Sequence, residues 1–290
     1  MQTTFPRLDI GPLSDFRSDD MMVSRFADYL EAHQNLVFPH RHSFYHMVLF
    51  TEGSGYHTID FHRFEVVPYQ IYFMVPGQVH AWYFAGKMDG YVVNFSDTFF
   101  RSFLHQPDYL ESFSFFDGDA SHAVVDLDVS VGKSVVALLE VLVEQAAGKS
   151  FLREDMIRAL LLQVFLTIEQ SRTRDIENEP AGRKGQVVRD FKKLIETHFH
   201  EQRLPGAYAS MLNLTPNHLN AICKERLGIQ AGEMIRNRII LEAKRLLVNL
   251  DLTISQISDQ LNFSDNSYFS KFFKKEAGIT PEEFRKRSVA

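Results

Sequence analysis

The stretch YASMLNLTPNHLNAICKERLGI, Tyr208 to Ile229, decides how this chain reads, because it is written a second time as ISDQLNFSDNSYFSKFFKKEAGI, Ile257 to Ile279. Leu212 and Asn213 stand 49 positions before Leu261 and Asn262, while Lys224, Gly228 and Ile229 stand 50 before Lys274, Gly278 and Ile279. The extra residue falls in the turn, where the second copy carries Asp265-Asn266-Ser267. A repeat that matches in apolar spacing as well as in letters marks a duplicated structural unit. Each copy predicts a short helix, a tight turn and a second helix. Tyr208, Met211 and Leu212 share one helical face, as do Ile254, Ile257 and Leu261. Thr253 with Gln256 has the spacing of a capping box. Thr215 is placed to cap the helix after the first turn, with Pro216 at a position where a missing N–H costs nothing.

The second helices carry apolar stripes at i, i+3, i+4 and i+8: Leu219, Ile222, Cys223 and Leu227, then Phe269, Phe272, Phe273 and Ala277. Their opposite faces hold Asn217, Asn220 and Lys224, and Asn266, Ser267, Ser270, Lys271 and Lys274. Amides, hydroxyls and ammonium groups are the types that hydrogen-bond base edges and phosphates. Gly228 and Gly278 end the helices as left-handed caps, and Thr280-Pro281-Glu282-Glu283 opens a last helix with acids near its positive end. Between the copies, Glu233 to Asn249 is apolar at Ile235, Ile239, Ala243, Leu246 and Leu247. At about 1.5 Å per residue it predicts a rod roughly 25 Å long. Once the width of each unit is added, that is comparable with the ~34 Å between successive major-groove faces. One such hairpin is also a plain packing unit; two, each with a polar second helix, favour a pair of DNA readers.

The segment GIQAGEMIRNRIILEAKRLLVNLDLTISQISDQLNFSDNSYFSKFFKKEAGITPEEFRKR resembles the DNA-binding domain of the AraC/XylS family of bacterial transcription regulators, over about Gln186 to Arg287. The resemblance implies a seven-helix domain whose long central helix separates two readers in adjacent major grooves. Carried over by position, it places Asn217, Asn220 and Ala221 toward bases in the first unit and Ser267, Ser270 and Lys271 in the second. Ala221 departs from the long polar side chain common at its position, so the first unit would lean on apolar contact there.

Charge divides the chain in the same sense. The whole carries −6, but residues from Arg183 onward are net +6 and the remainder net −12, as expected of a basic DNA-binding module joined to an acidic sensing domain. The single cysteine, Cys223, sits on a buried stripe and fits a reducing, cytoplasmic compartment. Met1 to Asp20 has no apolar block and predicts no signal peptide.

Between Leu36 and Phe95 the chain is rich in aromatic and β-branched residues. It predicts strands at Tyr45–Phe50, Gly55–Asp60, Ile71–Val75, Val79–Phe84 and Gly90–Phe95, with turns at Glu52–Ser54 and Pro76–Gln78. Residues 1 to 35 read as irregular. Many short strands argue for a barrel or jelly roll, and PHRHSFYHMVLFTEGSGYHTIDF with PGQVHAWYF resembles the cupin-like effector domain of many AraC-type regulators. His40, His42 and His46 share one parity, and His80 follows the Pro-Gly turn. Converging imidazoles can hold a divalent metal. Metal-binding cupins, however, place a glutamate where this chain has His46 and Met47, so these histidines are assigned to the effector together with Tyr56 and Trp82, with no metal and no cofactor.

Two helices follow. Val135, Leu138, Leu139 and Leu142 mark the first. Leu152 to Arg172 carries one stripe through Ile157, Leu160, Leu161, Val164, Phe165 and Ile168 and another through Leu152, Ala159, Leu162 and Leu166. The second stripe fits burial within the monomer as well as a dimer contact; the resemblance favours a homodimer. Gln163 and the short apolar run exclude a membrane span. SRTRDIENEPAGRKG, Ser171 to Gly185, lacks an apolar period and reads as a linker.

The expected architecture is therefore an α+β multidomain chain: a cupin-like barrel with a helical dimerisation segment (1–170), a linker (171–185) and an all-α double helix-turn-helix (186–290). The expected function is that of a sequence-specific transcription regulator, not an enzyme, with promoter DNA, a small-molecule effector and RNA polymerase as partners. The alternative is a metal-dependent cupin enzyme fused to a DNA-binding domain.

Overall fold

A computed structural model describes residues 7–8, 20–33, 39–101, 103–104, 109–173 and 183–289. The chain divides into two compact units, one spanning residues 5–177 and one containing 178–290.

Two long strands dominate the N-terminal unit: β4 (Tyr45–Ile59) and β7 (Val79–Phe95). Around them lie β1 (Arg7–Leu8), β2 (Met21–Arg25), α1 (Phe26–Ala32), β3 (His40–His42), β5 (His62–Glu65), β6 (Gln70–Met74), α2 (Asp97–Arg101) and β8 (Val124–Asp126). The sheet runs β1-β3-β7-β4-β6-β8, with β2 also on β7 and β5 on β4. Each long strand joins two segments that the sequence predicts as separate. The expected turn at Glu52–Ser54 is instead a bulge: the β4–β7 register shifts between Phe50 and Glu52 and again between Glu52 and Ser54. Gly90 lies opposite this bulge with a φ of +155°, and a Cβ there would come within 1.9 Å of the Leu49 carbonyl oxygen. Glycine there lets the paired strands bend together and carry the sheet around. The N-terminal stretch read as irregular supplies β2 and α1.

Alternation sorts the apolar residues to two faces. Val48, Phe50, Tyr72, Met74 and Val92 face inward and pack with Phe26 and Tyr29 of α1. Met47, Leu49, Ile71, Phe73, Val93 and Phe95 face the other way, onto α3 (Val129–Ala147) and α4 (Arg153–Thr173), which bury Val135, Leu139, Leu142, Ile157, Leu161 and Phe165 there. Each such side chain withdrawn from water contributes roughly 1.5–3 kcal/mol. Short 3₁₀ turns at Leu110–Ser112 and Ser114–Phe116 add Leu110, Phe115 and Phe116 to this core. The second expected stripe is largely uncovered within the unit: Leu152, in the turn before α4, and Ala159 and Leu166 on it are exposed, and Leu162 is half-buried.

The C-terminal unit holds seven helices among the described residues: α5 (Arg183–His198), α6 (Pro205–Met211), α7 (Pro216–Leu227), α8 (Ala231–Leu247), α9 (Ile254–Gln260), α10 (Asn266–Ala277) and α11 (Pro281–Val289). α8 packs against each of the other six through buried Ile235, Ile239, Ala243 and Leu247. The stretch expected as a linker is helical at both ends, since α4 runs to Thr173 and α5 begins at Arg183; residues 174–182 lie outside the described residues. Among the described residues no helix is long and apolar enough to cross a membrane.

Candidate functional sites: paired exposed helices and a buried histidine cluster

The two copies of the repeat fold alike. Asn213 and Asn262 both turn the chain with φ of +55°, a left-handed conformation that asparagine tolerates. The Leu214 N–H donates to the Ala209 carbonyl at 2.8 Å, and the Phe263 N–H to the Ser258 carbonyl at 2.9 Å. Thr215 then caps α7 by accepting the His218 N–H, and Asp265 caps α10 by accepting the Tyr268 N–H at 2.7 Å. Thr253 and Gln256 form a reciprocal capping box, and Gly228 and Gly278 close their helices with φ of +74° and +80°.

With start and stop fixed in this way, the helical period presents the same positions of each second helix to solvent. On α7 these are Asn217, His218, Ala221, Lys224 and Glu225; on α10 they are Ser267, Tyr268, Lys271, Lys274 and Lys275, fifty residues later in each case. Lys224, Lys271 and Lys274 form no ion pair among the described residues, so their ammonium groups are available to phosphate. Glu225 would oppose a phosphate, but its carboxylate accepts hydrogen bonds from Lys184 at 2.7 and 2.8 Å, which hold it below the usual carboxylate range. Asn266, the first residue of α10, is exposed; Ser270 is half-buried.

Asn220 behaves otherwise than expected. It is half-buried, and its Oδ1 accepts the N–H of Ala231, the first residue of α8, at 3.0 Å. Gln230 at the start of α8 offers no side-chain cap, so Asn220 satisfies that helix end instead of reaching outward. Leu227, expected in the apolar stripe, is exposed. His218 and Tyr268 are the exposed pair that sequence reading passes over; the fifty-residue register combined with a helical wheel would have found them. Cys223 is fully buried, and burial pushes its thiol up to about 11, so it is a packing residue.

In the N-terminal unit His40, His42, His46, His57 and His80 are all buried on the inward side of the sheet, none more than 3% exposed. Strand pairing sets His40 opposite His80, His46 opposite Asn94 and His57 opposite Trp82. The His80 Nε2 lies 2.7 Å from the His42 Nε2, and its Nδ1 lies 3.0 Å from the His57 Nε2. The His46 Nδ1 meets the Asn94 Oδ1 at 2.5 Å, and the His57 ring stacks on Trp82 with 3.4 Å between centroids. Burial in apolar surroundings disfavours the imidazolium form. It lowers His46 to about 3 and carries His42, His57 and His80 well below the ordinary histidine range, each reinforced by its neighbours. These four imidazoles are neutral at physiological pH.

Tyr56, expected with these histidines at the effector site, is carried to the opposite face of the sheet. It stacks on Tyr83 at 4.4 Å, with the Arg63 guanidinium 3.7 Å above its ring. The bulge is the reason. Even-numbered residues of β4 point inward before it (His46, Val48, Phe50) and odd-numbered ones after it (His57, Ile59), so His57 takes the place that strict alternation gives to its neighbour.

A barrel-like sensing unit followed by two capped hairpins with matching exposed helices defines an effector-controlled, DNA-binding transcription regulator. Residues 27–181 match the family model described as the AraC-like ligand binding domain, and residues 208–287 match a helix-turn-helix domain. The first match alone spans more than half of the 290 residues: the chain belongs to the AraC family. It is similar to the HTH-type transcriptional activator RhaR of Cronobacter sakazakii, 20% identical over 262 residues that cover 88% of each chain. RhaR of Salmonella arizonae is 22% identical over 286 residues, covering 93% of this chain and 94% of its own. Among solved structures, ToxT from Vibrio cholerae aligns over 92% of this chain and 98% of its own, at 13% identity and a TM-score of 0.46.

Proposed function

We propose that the exposed faces of α7 and α10 read operator DNA in successive major grooves, and that the inward face bearing His40, His42, His46, His80 and Trp82 receives the small-molecule effector. Asn217, Ala221, Ser267 and Lys271 meet bases, while Lys224, Lys274 and Asn266 meet the backbone. One observation carries this reading: the same helical positions are exposed in both copies, fifty residues apart, and apart from Ala221 and Glu225 they hold polar or cationic side chains. An effector acts here by binding one arrangement of the regulator more tightly than another; equal affinity for both would change nothing. The chain works as a cytoplasmic homodimer joined through the outer stripe of α4 and communicates with RNA polymerase, acting as a regulator and not as an enzyme. Support comes from the uncovered Met156 and Leu166 of α4, with Leu152 just before it, and from relatives named as transcriptional activators.

The test is Lys271→Ala, assayed against genomic fragments selected by the wild-type protein. Loss of a specific base contact is expected to weaken binding by about 1–3 kcal/mol. Affinity unchanged in both Lys271→Ala and Asn217→Ala would remove the assignment of these faces.

A further inference from the structure

We propose that the barrel binds a divalent transition-metal ion through His40, His42 and His80, with His57 as the residue that orients His80 toward it. One ring nitrogen from each of the three lies within 4.8 Å of the others, and all three residues are buried. Metal–imidazole bonds of about 2.0–2.1 Å place neighbouring donors roughly 3 Å apart. To admit an ion, the 2.7 Å between the His42 and His80 Nε2 atoms opens by about half an ångström and donor separations out to 4.8 Å close to about 3.3 Å, so the imidazole rings turn toward a common centre on binding.

Hydrogen-bond accounting sets the tautomers that an ion would meet. A neutral imidazole has one N–H and one lone pair, and both nitrogens of His80 face other imidazole nitrogens. Whichever way the protons run along His42–His80–His57, both ends of the row are left over: the Nδ1 atoms of His42 and His57 are buried and without a hydrogen-bond partner. An ion replaces the His42–His80 contact with two coordinate bonds, each taking an Nε2 lone pair. His80 then carries its proton on Nδ1 and donates it to the His57 Nε2, which is how a metal-bound histidine is held in the right tautomer. His57, stacked flat on Trp82, is fixed in place to accept it.

The donor set selects the metal. Three neutral imidazoles with no carboxylate or thiolate suit zinc, cobalt, nickel or copper and not magnesium or calcium. Three protein ligands leave a coordination position open, and nothing in the cluster offsets the ion's two positive charges. The open position therefore suits an anionic oxygen ligand, a carboxylate or hydroxycarboxylate. That last step rests on the reading of the barrel as the effector chamber; the metal site itself does not.

The experiment uses the full chain, stripped with chelator and titrated with Co²⁺ by visible absorption and with Zn²⁺ by calorimetry. One ion per chain at micromolar affinity or tighter is expected. His42→Ala and His80→Ala should each weaken binding by about a hundredfold or more, and His57→Phe, which keeps the stack on Trp82, by about tenfold to a hundredfold. His62→Ala, on an exposed strand, should change nothing. X-ray absorption of the Zn²⁺-loaded wild type counts bound imidazoles independently of any variant's stability, and three are expected. No stoichiometric ion, fewer than three imidazoles, or binding indifferent to His42→Ala and His80→Ala would overturn the site. Operator affinity measured on the same samples separates the two readings. Lost metal binding with intact DNA binding refutes only this site, and lost DNA binding with intact metal binding refutes only the regulator reading.

Discussion

Asn217 and Asn220 stand three residues apart on one short helix and do different things. Asn217 is exposed on the same face as Lys224, whereas Asn220 turns inward to satisfy the first N–H of α8. Asn220→Ala is accordingly expected to destabilise the C-terminal unit by about 1 kcal/mol, the usual value of a helix cap, visible as a lower melting temperature. Asn217→Ala should leave that temperature unchanged and weaken operator binding. His46 makes a prediction at the same scale. Its folded-state value of about 3 lies below the ordinary 6.5, so between those values the unfolded chain binds a proton that the folded chain refuses. Stability contributed by the neutral ring is complete above pH 6.5 and is lost as pH falls toward 3. At pH 5 the loss is roughly 2 kcal/mol for this group alone, and His42, His57 and His80 act in the same direction. In chelator-treated protein the melting temperature should drop between pH 7.5 and pH 5, less steeply in His46→Asn; a flat profile would show that the folded cluster accepts protons.

At the scale of elements, the bend shared by β4 and β7 and the clamp on the turn after α9 do the positioning. The bulge reverses which side chains of β4 point inward, which is why His46 before it and His57 after it both face His80. The clamp is Arg203, from the loop before α6. Its guanidinium donates to the Leu261 and Asn262 carbonyls at 2.6 and 2.7 Å and lies 3.7 Å over the Phe263 ring. It thus ties the first hairpin to the turn of the second and satisfies carbonyls that the end of α9 leaves open. Arg203→Ala is expected to cost about 2 kcal/mol of unfolding free energy. It should also reduce operator affinity although Arg203 lies on neither reading helix, because α10 loses part of its support. Wild-type affinity combined with wild-type chemical denaturation would show that the clamp is idle.

For the whole molecule, the division of charge and the uncovered stripe of α4 bear on assembly. A dimer would place two pairs of reading helices on one DNA site and double the phosphate contacts, steepening the salt dependence of binding. Leu166 lies on that stripe and is 42% exposed; Leu166→Glu puts a charge where an apolar partner is expected. The variant should sediment as a monomer with its melting temperature nearly unchanged. A dimer that survives this change would place the contact elsewhere.

The repeat, its turns, several of its caps and most of the exposed positions of α7 and α10 were readable in the sequence, because within each helix the neighbours three and four residues away decide which side is buried. The histidines of β3 and the Pro-Gly turn before His80 were readable for the same reason: each depends on a few adjacent letters. The structure alone decided that Tyr56 faces out and His57 in, that Asn220 serves α8, and that residues 21–32 form a strand and a helix. Each of these depends on what lies across from it. A strand's inward side is set by its partner's register, and a side chain is committed when a distant N–H needs an acceptor. Those distances are fixed only when segments remote in the chain come together.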